Sequence, residues 1–131
     1  MKSDIRYTLS QVLTKPLPVF NHATEFNGII HVSCIQGFRP GTMELIHEGA
    51  AEQAEQIFKN LSVVLEEAGS DLTRVLKLTL FFTDLERDFA SVNEVVNHHF
   101  PANSPARSSI GVKDLPRNCK VVAECVAAKR P

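Results

Sequence analysis

Val75-Leu76-Lys77-Leu78-Thr79-Leu80-Phe81-Phe82 is the stretch that decides the fold. It reads as a strand closed by Thr83-Asp84, and its apolar residues fall in both alternating sets. Side chains alternate between the two faces of a strand, so both faces of this one call for cover. The stretch lies between two helical patterns. Upstream, Ala50, Ala54, Ile57, Phe58, Leu61, Val64, Leu65 and Ala68 recur at three- and four-residue steps. Glu52, Glu55, Gln56, Lys59 and Glu66 form the polar face, and Gly69 is the C-terminal stop. Downstream, Phe89, Val92, Val95, Val96 and Phe100 give a second stripe, capped by Asp84 or Asp88.

Moving outward, residues 5–9 alternate as a short strand, and Lys15-Pro16-Leu17-Pro18 is a break. A strand over 19–26 turns through Asn27-Gly28, a strong hairpin signal, into Ile29–Ile35. Residues 37–41 read as a loop. After the second helix come a loop at 101–105, a strand at 106–112, a turn at 114–118 and a strand at 120–128. The order β-β-β-α-β-α-β-β predicts an α+β two-layer domain, with two helices on one face of a mixed sheet. The strand at 120–128 is also apolar in both sets. A partner covering the second face, and hence a homo-oligomer, follows as an expectation.

With 131 residues, the chain is expected to form a single domain over 1–131. A net charge of −1, with Lys and Arg scattered, speaks against nucleic-acid or anionic-membrane partners. No apolar run approaches the roughly 20 residues of a membrane span. Residues 1–6 lack the apolar core of a signal peptide. Cys34, Cys119 and Cys125 show neither metal-ligand spacing nor a disulfide framework, which points to a cytoplasmic protein with reduced thiols. No P-loop, nucleophile elbow or dinucleotide glycine pattern is present, so neither a metal nor a nucleotide cofactor is expected.

The candidate chemistry begins at Ser104-Pro105-Ala106-Arg107-Ser108-Ser109. Proline fixes the backbone just before an arginine enters a strand. The guanidinium is a fork of donors suited to a planar carboxylate, and the following serines offer further donors. Glu124 stands in an otherwise apolar last strand and can orient water or carry a proton. Lys120, Val122 and Glu124 share one face by the period of two. Asn93, in mid-helix, is either a solvated position or a bond to the loop that sets the entry of Arg107. His98 and His99 diverge by about 100° on a helix, poorly placed to share a metal, and suit the helix C-terminus. His22, His31 and His47 have no partner at ligand spacing.

Together these residues resemble the reactive intermediate deaminase (RidA/YjgF) family over nearly the whole chain. The resemblance rests on Ala54-Glu55-Gln56 to Asn60-Leu61, Leu65 to Gly69, Val75 to Thr79 with Asp84, and Asp88 to Asn93. It rests equally on Phe100 with Pro105-Ala106-Arg107-Ser108, on Leu115-Pro116, and on Glu124 to Ala127. It implies a chorismate-mutase-like fold and a homotrimer whose sheets line a central barrel, with a cleft at each interface. It also implies hydrolysis of 2-imino acids, formed from enamines, to 2-keto acids and ammonia. Arg107 would grip the substrate carboxylate, assisted by the backbone at Ser109. Glu124 keeps the second of two family glutamates, whereas Val122 stands where the first, which works with the water, would be. Phe20 replaces a tyrosine, and Ser33-Cys34 replaces a Ser-Gly pair. Phe20 and Val122 make the pocket more apolar, which suits a larger acid than 2-iminopropanoate, such as an aminomuconate-type enamine. A non-catalytic carboxylate-binding or protein-interaction trimer is the alternative.

Overall fold

The structure is a computed structural model that describes residues 4–13 and 20–131. The proline break at 15–18 and the first residue of the strand expected at 19–26 lie outside the described residues. The elements are β1 (Arg6–Thr8), β2 (Ala23–Phe26), β3 (Ile29–Ile35), α1 (Ala50–Ala68), β4 (Val75–Phe82), α2 (Leu85–His99), β5 (Ala106–Gly111) and β6 (Val121–Ala128). One six-stranded sheet runs β1-β2-β3-β6-β4-β5. β5 lies parallel to β4, because α2 carries the chain back to the same end of the sheet, and every other neighbouring pair is antiparallel. The sheet is mixed and both helices lie on one face, as the sequence predicts.

Local chemistry explains the joints. Asn27 and Gly28 both take positive φ (51° and 82°), the combination that a tight hairpin between right-twisted strands requires. α1 ends at Gly69 (φ 91°), whose N–H reaches Glu66 O while Ser70 N–H reaches Leu65 O. Of the two candidate caps for α2, Asp84 serves, accepting from Arg87 N at 3.1 Å. Asp88 lies inside the helix, buried and bridged by the Arg87 guanidinium at 2.8 and 2.9 Å. At the other end, His99 Nε2 meets Glu55 Oε2 at 2.9 Å and ties α2 to α1.

Strand pairing sets what each face carries. Leu78, Leu80 and Phe82 of β4 pair with Cys125, Ala123 and Val121 of β6, and all six are buried against the helices. Ile57, Phe58, Leu61 and Leu65 meet them from α1. Each such burial contributes about 2 kcal/mol, more than helix propensity alone supplies. On α2, Val92 and Val96 are buried, whereas Phe89 on the same stripe stays exposed.

The second face differs from expectation. Tyr7, Phe26, Ile29 and Ile110 are exposed there, as an uncovered face requires. Its other end is covered by the chain itself. Residues 36–46 fold back as a lobe, closed by the Phe38–Leu45 bridge and by Ile46 N–H to Gly37 O at 2.9 Å. Phe38 and Leu45 pack with Val122, Cys119, Phe81 and Leu115 in a second apolar cluster. Part of the two-sided burial attributed to a partner is therefore met within the chain.

α1 holds this lobe. Asn60 Nδ2 donates to Gln36 O and Phe38 O, both at 3.0 Å, and its Oδ1 accepts from Gln56 Nε2 at 2.8 Å. Buried Gln53 donates to His47 O at 3.1 Å and accepts from Lys120 N at 2.9 Å. Gly37 lies so close that a Cβ there would sit 2.6 Å from Gln53 O. Among the described residues, no helix is long and apolar enough to cross a membrane.

Candidate functional site

A cavity of about 560 Å³ opens where the lobe, the end of β3 and the 116–118 turn meet. Phe20, Phe38, Met43 and Pro116 supply apolar walls, and Ser33, Cys34 and Glu124 add polar groups. The placement of Ser33 and Cys34 has a backbone cause. Val32 pairs with Cys125 but Ile35 pairs with Ala123, so β3 sets two residues opposite Glu124 alone. Such a bulge bends the strand and re-aims its side chains. Ser33 is held by its Oγ donating to Asn21 O at 2.7 Å.

Burial pushes the Cys34 thiol up to about 11, and the charge of Glu124 adds to the effect. At neutral pH the thiol is therefore protonated, a weak donor rather than a nucleophile. Burial raises Cys119 and Cys125 in the same way, and all three cysteines are free. Among the described residues, no three His, Cys, Asp or Glu side chains gather as metal ligands.

Arg107 lies elsewhere, on the outer strand of the sheet. Its Nη2 donates to Asn93 Oδ1 at 2.6 Å, so Asn93 touches the guanidinium itself rather than the loop before it. No carboxylate pairs with Arg107 among the described residues. Arg107 aligns with Leu78, and Ser109 with Leu80, so both stand on the helix-covered face. Glu124 aligns with Thr79, and Thr79 with Ser108, on the opposite face. Two strand spacings, about 10 Å, and the sheet itself separate Arg107 from Glu124.

The residues singled out in the sequence thus fall into three places. Phe20, Ser33, Cys34 and Glu124 line the cavity. Arg107, Ser109 and Asn93 occupy the far edge. Val122 is 2% exposed, enclosed beneath the lobe rather than lining the cavity. Sequence reasoning missed Asn60, Arg39 and Arg117, which also line the cavity. Arg39-Pro40-Gly41 and Pro116-Arg117-Asn118 carry turn signals that could have flagged arginines fixed at loop tips.

The comparisons agree with this architecture. The sequence profile of the family described as Endoribonuclease L-PSP matches residues 11–129. Reactive Intermediate Deaminase A, chloroplastic, of Arabidopsis thaliana is 38% identical over 108 residues, which is 82% of this chain and 57% of that relative's length. The rat (Rattus norvegicus) protein named 2-iminobutanoate/2-iminopropanoate deaminase is 34% identical over 132 residues, covering 100% of this chain and 96% of its own length. The crystal structure of RidA from the Antarctic bacterium Psychrobacter superposes with a TM-score of 0.87 at 32% identity, covering 94% of this chain and 98% of that one. An α+β chain with this sheet order and this profile match is a member of the L-PSP family. More narrowly, it belongs to the reactive intermediate deaminase (RidA/YjgF) family.

Proposed function

We propose that the protein is a hydrolytic deaminase of reactive enamine and imine acids, releasing ammonia and a 2-keto acid. We propose further that it works as a homotrimer. The carrying observation is that Arg107, unpaired with any described carboxylate and braced by Asn93, faces away from the cavity that holds Glu124. Two halves of a site on opposite faces of one sheet can act together when a second copy brings its sheet edge to the cavity. The exposed Tyr7, Phe26, Ile29 and Ile110 give such an assembly apolar surface to bury.

In this reading the partner's Arg107 fixes the substrate carboxylate as a bidentate pair, and the backbone at the partner's Ser109 assists. The C=N carbon then lies over the cavity. Water adds to that carbon while the π pair moves to nitrogen. Glu124 takes a proton from the attacking water and passes it to nitrogen, which gives a carbinolamine. It then carries the hydroxyl proton to nitrogen as the oxygen lone pair forms the C=O and the C–N bond breaks, leaving ammonia and the 2-keto acid. Imine hydrolysis is facile, so orientation and one proton carrier suffice. The apolar walls at Phe20 and Phe38, with the volume of the cavity, suit a substrate larger than 2-iminopropanoate, such as an aminomuconate-type enamine. The three free thiols suit the cytoplasm.

The test generates 2-iminopropanoate with an amino-acid oxidase and follows loss of its semicarbazone adduct. Acceleration by the wild type and its loss in Arg107→Ala support the reading. No acceleration, with Arg107→Ala indistinguishable from wild type, overturns it for that substrate. One observation favours a second reading, a carboxylate-binding trimer without turnover: Val122 is enclosed in an apolar cluster where the family's water-activating glutamate would stand. Crystals soaked with 2-oxobutanoate that hold it on Arg107, from a protein without turnover, support that reading.

A further inference from the structure

The arginines of this chain divide by partner. Arg6 pairs with Glu25, Arg87 with Asp84 and Asp88, and Arg130 with Glu66 and Asp71. Arg74 donates to Ala128 O, and Arg107 to Asn93. The two remaining guanidiniums, those of Arg39 and Arg117, hold no oxygen among the described residues, and both line the same cavity. Among the described residues, the Arg117 guanidinium donates to Met43 Sδ at 3.6 Å, itself on the cavity wall.

Backbone geometry fixes both at the rim. Arg117 (φ 58°) and Asn118 (φ 60°) take the left-handed conformation in succession, which side chains other than glycine adopt at a cost. Arg39 leads the tip of the lobe, where its carbonyl accepts from Thr42 N and Oγ1 and its N–H reaches Glu44 O at 2.9 Å. Among the described residues, Glu124 is the sole carboxylate lining the cavity, against the two guanidiniums of Arg39 and Arg117.

We propose that Arg39 and Arg117 form a second anion subsite, so that the ligand of this cavity is a dicarboxylic imino or keto acid. The inference rests on the proposed function for the other end of the ligand, where the partner's Arg107 takes the 1-carboxylate. A planar guanidinium pair then receives a side-chain carboxylate at the rim, with the apolar walls around the carbons between. A monoacid would leave both rim guanidiniums in water. The volume of about 560 Å³ exceeds what a three-carbon imino acid fills.

Isothermal titration of the purified, assembled protein at physiological salt tests this with two stable ligands of equal chain length, 2-oxoglutarate and 2-oxopentanoate. Only the terminal carboxylate distinguishes them. The wild type is expected to bind 2-oxoglutarate about tenfold more tightly or better. In an Arg39→Gln, Arg117→Gln double variant that preference disappears, while 2-oxopentanoate binds as before. Both positions are exposed, and a melting curve checks that the variant folds. Equal binding of the two acids by wild type, failure of both to bind at millimolar concentration, or a preference that survives the double variant would overturn the proposal. The measurement needs no turnover. A diacid preference in a protein that hydrolyses no imine upholds the subsite and refutes the deaminase reading. Imine hydrolysis without a diacid preference does the reverse.

Discussion

Asn93 on α2 and Arg107 on β5 are joined by a 2.6 Å hydrogen bond from Nη2 to Oδ1, an exposed contact between the helix layer and the outermost strand. A neutral acceptor orients the guanidinium without cancelling its charge, which a carboxylate in the same place would do. Asn93→Ala is therefore expected to raise KM for an imino acid about fivefold with kcat little changed. Asn93→Asp should weaken binding further, because the new carboxylate competes with the substrate. Steady-state kinetics decide it, and an unchanged KM in both variants refutes the role given to Asn93.

Val122 is enclosed with Phe38, Cys119 and Leu45 beneath the lobe. A carboxylate there has no partner and is largely removed from water. Val122→Glu is expected to cost about 3 kcal/mol of stability, whereas Phe20→Tyr on an exposed ring changes it by under about 0.5 kcal/mol. Urea denaturation measures both. A Val122→Glu variant as stable as wild type would mean that the lobe does not pack on this position.

Burial pushes the Cys125 thiol up to about 12, with the charge of Glu124 adding to it, and the thiols of Cys34 and Cys119 up to about 11. All three lie above the ordinary value of 9.0, so the folded state holds these protons longer than the unfolded chain. Their contribution to stability is whole below pH 9 and is lost as pH rises from there through the folded values. Urea midpoints should fall between neutral pH and about pH 10.5, and Cys125→Ala should flatten the decline. An identical slope in that variant would show that other groups cause the loss.

Ile110 is exposed on the lobe-side face of the outer strand. If that face packs against other copies, Ile110→Glu should shift the particle seen by light scattering toward the 14.5 kDa chain and remove imine hydrolysis together with the lost mass. A particle of unchanged mass in Ile110→Glu argues against burial of this face.

The two helices and six strands were legible because their periodicities are strong. Ile57, Leu61, Val64 and Ala68 can share a face only in a helix, and Asn27-Gly28 admits few connections other than a hairpin. The relative placement of Arg107 and Glu124 was not legible. A period of two relates residues within one strand, but which face Arg107 shares with Leu78 depends on how β5 pairs with β4. The burial of Val122 escaped for a similar reason. The residues covering it, Phe38 and Leu45, come from a loop whose path is held by Asn60 on α1, a contact 22 residues away in sequence from Phe38. The choice between Asp84 and Asp88 as cap turned on Arg87, which can neutralise an aspartate inside the helix.

Asn60 belongs to the helix layer, yet its amide carries two carbonyls of the lobe that walls the cavity. The opposite wall, at Ser33, Cys34 and Glu124, belongs to the sheet. The cavity is thus a jaw with one plate bolted to each layer of the domain, and its gape follows any slide of helix over strand. A ligand clamped between the plates pins the layers to each other, so occupancy should slow amide exchange along α1 even at residues it never touches.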